Sequence, residues 1–131
     1  MISSPSDIAA LVRTFLEQLL PLIGGTLEQE VFVAVALDSQ NCLRGEPWLV
    51  ALGTANQVVV APRDVFREAI RRNAVGVIVC HNHPTECNPS DDDRELTNRL
   101  VSAAGVLGLS LLDHVVLKPS GFVSMKSAGL M

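Results

Sequence analysis

Residues Ala74 to Cys80 (AVGVIVC) carry no polar side chain and run directly into His81-Asn82-His83-Pro84. A strand with one wet face alternates apolar and polar residues; one that is apolar throughout needs cover on both sides. The run is also far shorter than the roughly 20 residues of a membrane-spanning helix. It therefore reads as the central strand of a sheet, and the rest of the chain must supply layers above and below it.

The flanking sequence supplies them. Ser6 or Asp7 can cap a first helix whose apolar positions Ile8, Leu11, Val12, Phe15, Leu19 and Leu20 follow a helical period. Pro21 and Gly24-Gly25 are expected to end it, so residues 1–25 form an N-terminal helical unit. Glu30 to Leu37 (EVFVAVAL) reads as a strand, Asp38-Ser39-Gln40-Asn41 as a turn, and the stretch around Leu43 to Leu52 as the hairpin partner. Val58-Val59-Val60 either continues the sheet or leads into a helix that Pro62 can start and Arg63 to Asn73 can form. A polar loop from His81 to Pro89 follows the central strand, and Ser90 opens a helix running to about Leu107. Ser110 to Lys118 and Phe122 to Ser124 read as two last strands around a Pro119-Ser120-Gly121 turn. The order predicts an α/β fold: three layers, α/β/α, on a mixed sheet, with the core spanning 30–124. No repeat or linker divides residues 1–131, so a single domain is expected.

Composition excludes several classes. With 48% hydrophobic and 18% charged residues and a mean hydropathy of +0.33, the chain is not intrinsically disordered. The longest uncharged stretch, Pro47 to Pro62, contains Gly53 and Thr54, and the purer Leu100 to Leu112 is too short to span a bilayer. No membrane association is expected. The N-terminus lacks a basic region and carries Asp7, unlike a signal peptide, so a cytoplasmic location is expected. There Cys42, Cys80 and Cys87 would remain reduced. The net charge of −4, four Phe, one Trp and no Tyr argue against a nucleic-acid surface. Arg63, Arg67 and Arg71 make a basic stripe, but interleaved Asp64 and Glu68 suit a salt-bridged face; a DNA contact is the minor reading. Oligomeric state is not legible.

The chemistry concentrates at the exit of the central strand, where α/β sheets usually place it. His81 and His83, two apart on extended backbone, point the same way and can reach one ion. Asp93, one turn into the next helix, can add an oxygen ligand. Two nitrogens, a carboxylate and an open position form a catalytic zinc arrangement, one ion per chain. Such an ion lowers the pKa of a bound water to about 7. A bland reading stands beside it: Ser90-x-x-Asp93 is also a capping box, and Asp91, Asp92 and Asp93 suit a helix N-terminus without metal. The histidines can likewise be loop residues bonding backbone; spacing alone does not separate the readings. A zinc nucleobase deaminase requires H-x-E and P-C-x-x-C, which are absent. The nuclease named for the letters H-N-H spreads its motif over a longer unit. Cys80 should face away from His81 as a small hydrophobe. Cys87 in the loop can at most cap an open zinc position. His114, after Asp113 on a strand, reads as a core histidine or as support for the metal site.

The segment His81-Asn82-His83-Pro84 … Pro89-Ser90-Asp91-Asp92-Asp93 resembles the JAMM (MPN+) metal signature, in its RadC-like branch. The likeness extends to Glu30-Val31-Phe32, Leu37-Asp38, Gly53-Thr54, Pro62-Arg63, Asn73-Ala74 and Leu111-Leu112-Asp113-His114. It implies a cytidine-deaminase-like fold and a zinc metallopeptidase-type site acting on a peptide or protein substrate. The matching positions make His81, His83 and Asp93 the metal ligands. Glu30 becomes the general base, with Glu28 its nearest competitor, and Ser90 the oxyanion stabiliser; Asp113 and His114 are possible supporting residues. The family also implies an alternative: a non-catalytic accessory or binding module associated with DNA repair. The classical RadC protein adds a helix-hairpin-helix region for which residues 1–25 are too few. Two departures mark this chain. Nine residues separate His83 from Asp93, one fewer than usual, and Thr85-Glu86 stands where the family has Ser-Gly.

Overall fold

The apolar run forms β3 (Gly76–Asn82), the middle strand of a five-stranded mixed sheet ordered β2-β1-β3-β4-β5. The computed structural model describes residues 1–54 and 58–131. Around β3, the chain builds α1 (Pro5–Ile23), β1 (Val31–Leu37), β2 (Trp48–Leu52), α2 (Pro62–Arg71), α3 (Asp91–Leu107), β4 (Ser110–Lys118) and β5 (Gly121–Ser124). β3 runs parallel to β4 and antiparallel to β1, and every residue of β3 is buried.

The two faces of β1 explain the layering. Phe32, Ala34 and Ala36 pack with Val65, Phe66 and Leu100 of α2 and α3. Val31, Val33, Val35 and Leu37 pack instead with Ile8, Val12, Leu16 and Leu20 of α1. Alternating direction along a strand thus divides one apolar sequence between two cores. The α/β/α arrangement anticipated from sequence is the one observed.

Several boundaries shift for local reasons. The first helix starts after Ser4, and Asp7 accepts from the backbone N–H groups of Ser3 (2.9 Å) and Ser4 (3.2 Å). It also continues past Pro21 to Ile23, ending on Gly24 at φ 71°. The proline lies on an exposed side of the last turn, where its lost hydrogen bond is tolerated. The hairpin partner shortens to β2, and Leu43 makes an isolated bridge to Leu37. Val58-Val59-Val60 is not a strand and leads into α2. β3 extends through His81 and Asn82, two residues further than expected, because β1 and β4 both pair with His81 and β4 also pairs with Asn82. Among the described residues, no helix is long and apolar enough to cross a membrane.

Candidate metal centre

Strand register assembles the site. Phe32 of β1 lies opposite His81 of β3. Continuing that antiparallel pairing by two residues brings Glu30, which precedes β1, opposite His83, which follows β3. The four residues share one face. β3 effectively continues past its end, since the His83 backbone N–H donates to Leu117 O at 2.7 Å. Ser90 then caps α3: its Oγ accepts from Asp93 N–H at 3.1 Å, while the Asp93 carboxylate accepts from Ser90 N–H at 2.8 Å. The capping box and the candidate metal cluster therefore share Asp93. The cap uses an Oγ lone pair and leaves the Ser90 O–H available to donate into the cleft.

Asp93 projects between the imidazoles, with Oδ2 3.1 Å from His83 Nε2 and Oδ1 3.3 Å from His81 Nε2. The shortened loop does not keep it from reaching them. Glu30 Oε1 stands 3.8 Å from His81 Nε2. Ligand atoms of Glu30, His81 and His83 all lie within 4.8 Å of one another. A glutamate at a strand start is ordinarily solvated, yet Glu30 is only 8% exposed, whereas Glu28 is exposed. Burial pushes the Glu30 carboxyl above its usual range, against the pull of His81 and His83. Burial also raises Asp93, but the imidazoles beside it more than offset this and hold it well below the usual carboxylate range. The bond to Asp93 raises His83.

Each histidine is oriented from behind. His83 Nδ1 donates to Cys87 O at 2.8 Å. His81 Nδ1 lies 2.7 Å from His114 Nε2, and His114 Nδ1 lies 2.6 Å from Thr97 Oγ1. Phe32 stacks on the His81 ring, with centroids 5.8 Å apart and planes 10° apart. Burial lowers the pKa of His114 well below that of free imidazole and keeps it neutral. His81 Nε2 is buried without a hydrogen-bond partner, even with the Asp93 oxygen beside it. A buried nitrogen left bare amid carboxylates, in a set of two imidazoles and two acids, suits a divalent cation. The residues fit a metal.

Of the supporting candidates, His114 meets His81, while Asp113 serves another purpose. Its carboxylate accepts from Ser124 Oγ (2.6 Å) and from the backbone N–H groups of His114 and Lys126 (2.7 and 3.1 Å). Strand alternation puts the two neighbours on opposite faces. Cys80 lies on the α1 face as a buried hydrophobe. Cys87 is exposed in the loop and contributes its carbonyl. Thr97 escaped the sequence reading, although a polar residue in the inward stripe with Leu100 and Ala104 was its signal. The loop has an anchor as well: Glu86 accepts from Ser120 N–H at 2.7 Å and from its hydroxyl. The basic stripe is partly neutralised, with Arg71 and Arg72 both paired to Glu68. The site opens into a cleft of about 660 Å³ between Val58–Val60, the loop at Thr85 and the first turns of α3.

Comparison with known proteins places the chain in a family. The model of the RadC-like JAB domain family matches residues 2–130. A UPF0758 protein of Rubrobacter xylanophilus is 38% identical over 132 residues, covering 100% of this chain and 54% of the relative. One from Thermotoga maritima is 45% identical over 104 residues, or 79% and 46% of the two chains. One from Staphylococcus epidermidis is 38% identical over 129 residues, or 98% and 53%. The chain thus spans about half the length of these curated relatives.

Proposed function

The chain belongs to the RadC-like JAB domain family, and from that premise we propose that it is a zinc-dependent hydrolase of the metallopeptidase type, cleaving a peptide or isopeptide bond. His81, His83 and Asp93 hold the ion. Zinc, when bound, supplies a Lewis acid that acidifies water and polarises a carbonyl. Glu30 accepts the proton of the attacking water and returns it to the leaving amine, a task helped by its raised pKa. The Ser90 hydroxyl donates to the carbonyl oxygen as negative charge develops there.

The observation that carries this reading is the buried, unpartnered Nε2 of His81, with Asp93 at 3.3 Å and Glu30 at 3.8 Å. A structural zinc site closes on four protein ligands and needs no base. Here Asp93 contacts both imidazoles, and Glu30 stands farther from His81 than Asp93 does, as a base would. The test combines metal analysis with a screen of peptide and isopeptide substrates on zinc-loaded protein. Stoichiometric zinc and cleavage abolished by Glu30→Gln are expected. Zinc absent from carefully purified protein, or cleavage that survives Glu30→Gln, would overturn the reading.

A further inference from the structure

A three-link hydrogen-bond chain lies behind His81, and its direction follows from one carbonyl. Thr97 Oγ1 is 2.7 Å from Asp93 O, which can only accept. The hydroxyl has one proton, and its other acceptor, Met125 Sδ, is distant at 3.7 Å. The proton therefore goes to Asp93 O, and Thr97 Oγ1 must accept from His114 Nδ1–H at 2.6 Å. His114 Nε2 is then a lone pair and accepts from His81 Nδ1–H at 2.7 Å. In the neutral imidazole that leaves His81 Nε2, which faces the cleft, without a proton. The three side chains that form it are buried: Thr97 and His114 are 0% exposed and His81 2%.

Resting on the zinc reading above, we propose that Thr97 is a positioning residue whose hydroxyl, acting through His114, fixes His81 as the Nδ1–H tautomer and keeps its Nε2 open to the metal. The same hydroxyl grips the backbone of Asp93 one turn back on α3. It thereby ties the helix that carries the carboxylate ligand to the strand that carries the imidazole ligand. Without it, His114 can carry its proton on Nε2, where it opposes His81 Nδ1–H and favours the His81 tautomer that blocks the metal.

The test compares Thr97→Val, which keeps the shape but loses the hydroxyl, with Thr97→Ser, which keeps the hydroxyl. Two-bond proton–nitrogen spectra of the metal-free and zinc-loaded proteins at mildly alkaline pH read each imidazole's tautomer. In the wild type, His114 is expected protonated on Nδ1 and His81 on Nδ1. Thr97→Val should lose this pattern and weaken zinc binding by about 10–100-fold, the usual loss for a residue supporting a metal ligand. Thr97→Ser should restore both. A merely structural threonine would change thermal stability without moving the tautomers. Zinc binding with wild-type His114 protonated on Nε2, or a Thr97→Val protein with unchanged tautomers and affinity, would overturn the proposal alone. A wild type that binds no zinc would overturn the zinc reading and the proposal with it. If Thr97→Val does not fold, the wild-type spectrum decides.

Discussion

Asp93 and Glu30 are both carboxylates beside His81, and zinc affinity tells a ligand from a base. Donors bonded to a tetrahedral zinc at about 2.0–2.2 Å lie about 3.3–3.6 Å from one another. Asp93 already sits 3.1 and 3.3 Å from the two Nε2 atoms, close to that spacing, whereas Glu30 is 3.8 Å from His81 Nε2. Loss of a supporting residue costs about 10–100-fold in metal affinity, so loss of a true ligand should cost more than about 100-fold, or ~2.7 kcal/mol. Asp93→Ala is therefore expected to exceed that loss. Glu30→Gln, which keeps the side chain's size but not its charge, should stay within it and retain one zinc per chain. Asp93 also accepts from Ser90 N–H at 2.8 Å, so its removal should lower metal-free stability by about 0.5–2 kcal/mol. Urea denaturation in the presence of chelator measures that part separately. Competition with a fluorescent zinc chelator, together with metal content by mass spectrometry, measures affinity. If Glu30→Gln loses zinc as fully as Asp93→Ala, Glu30 is a fourth ligand, the site is closed, and its role as base fails. If zinc survives Asp93→Ala and is lost with Asp92→Ala, the third ligand has been misassigned.

Three further outcomes test the fold and its charges. Leu16 is 2% exposed between α1 and the sheet, so Leu16→Ala should cost about 2–5 kcal/mol in denaturant unfolding; a loss under ~1 kcal/mol would mean α1 is not docked there. Burial raises the Cys80 thiol pKa, so a maleimide should label exposed Cys87 in the native protein and Cys80 only after denaturation. Native labelling of Cys80 would contradict the packing of β3 under α1. The hydrogen bonds from Arg71 and Arg72 hold Glu68 down at about 2. Because this folded-state pKa is depressed, its contribution to stability is present above the ordinary value of 4.5 and disappears as pH falls towards 2. Thermal melts of Glu68→Gln should be flatter than wild type across that window, and superimposable profiles would show that the pairs contribute nothing.

Much of the site was legible because its key spacings are short. His81-Asn82-His83 on extended backbone fixes two imidazoles on one face, and Ser90-x-x-Asp93 fixes a cap and a carboxylate within one helical turn. The apolar run of β3 likewise demanded two covering layers, which α1 provides on one face and α2 and α3 on the other. The helix end at Pro21 and the extent of β3 were less legible. They depend on how much a tertiary neighbour compensates a local preference, and sequence spacing does not carry that information.

The sequence by itself determined which residues could share a metal across one turn or two strand positions, since backbone geometry sets those distances whatever surrounds them. Tertiary structure decided how Glu30, Thr97 and His114 relate to them. Antiparallel register turns a glutamate 51 positions from His81 into a buried neighbour at 3.8 Å. Parallel pairing of β3 with β4 sets His114 behind His81 across 33 positions, and α3 packing delivers the Thr97 hydroxyl to it. Asp113, adjacent to His114, was turned to the opposite face by the same strand alternation. Burial then changed the chemistry as well as the positions: it raised the Glu30 carboxyl, kept His114 neutral and left one imidazole nitrogen without a partner. Solvent exclusion sets these properties, and it arises only when separate elements pack together.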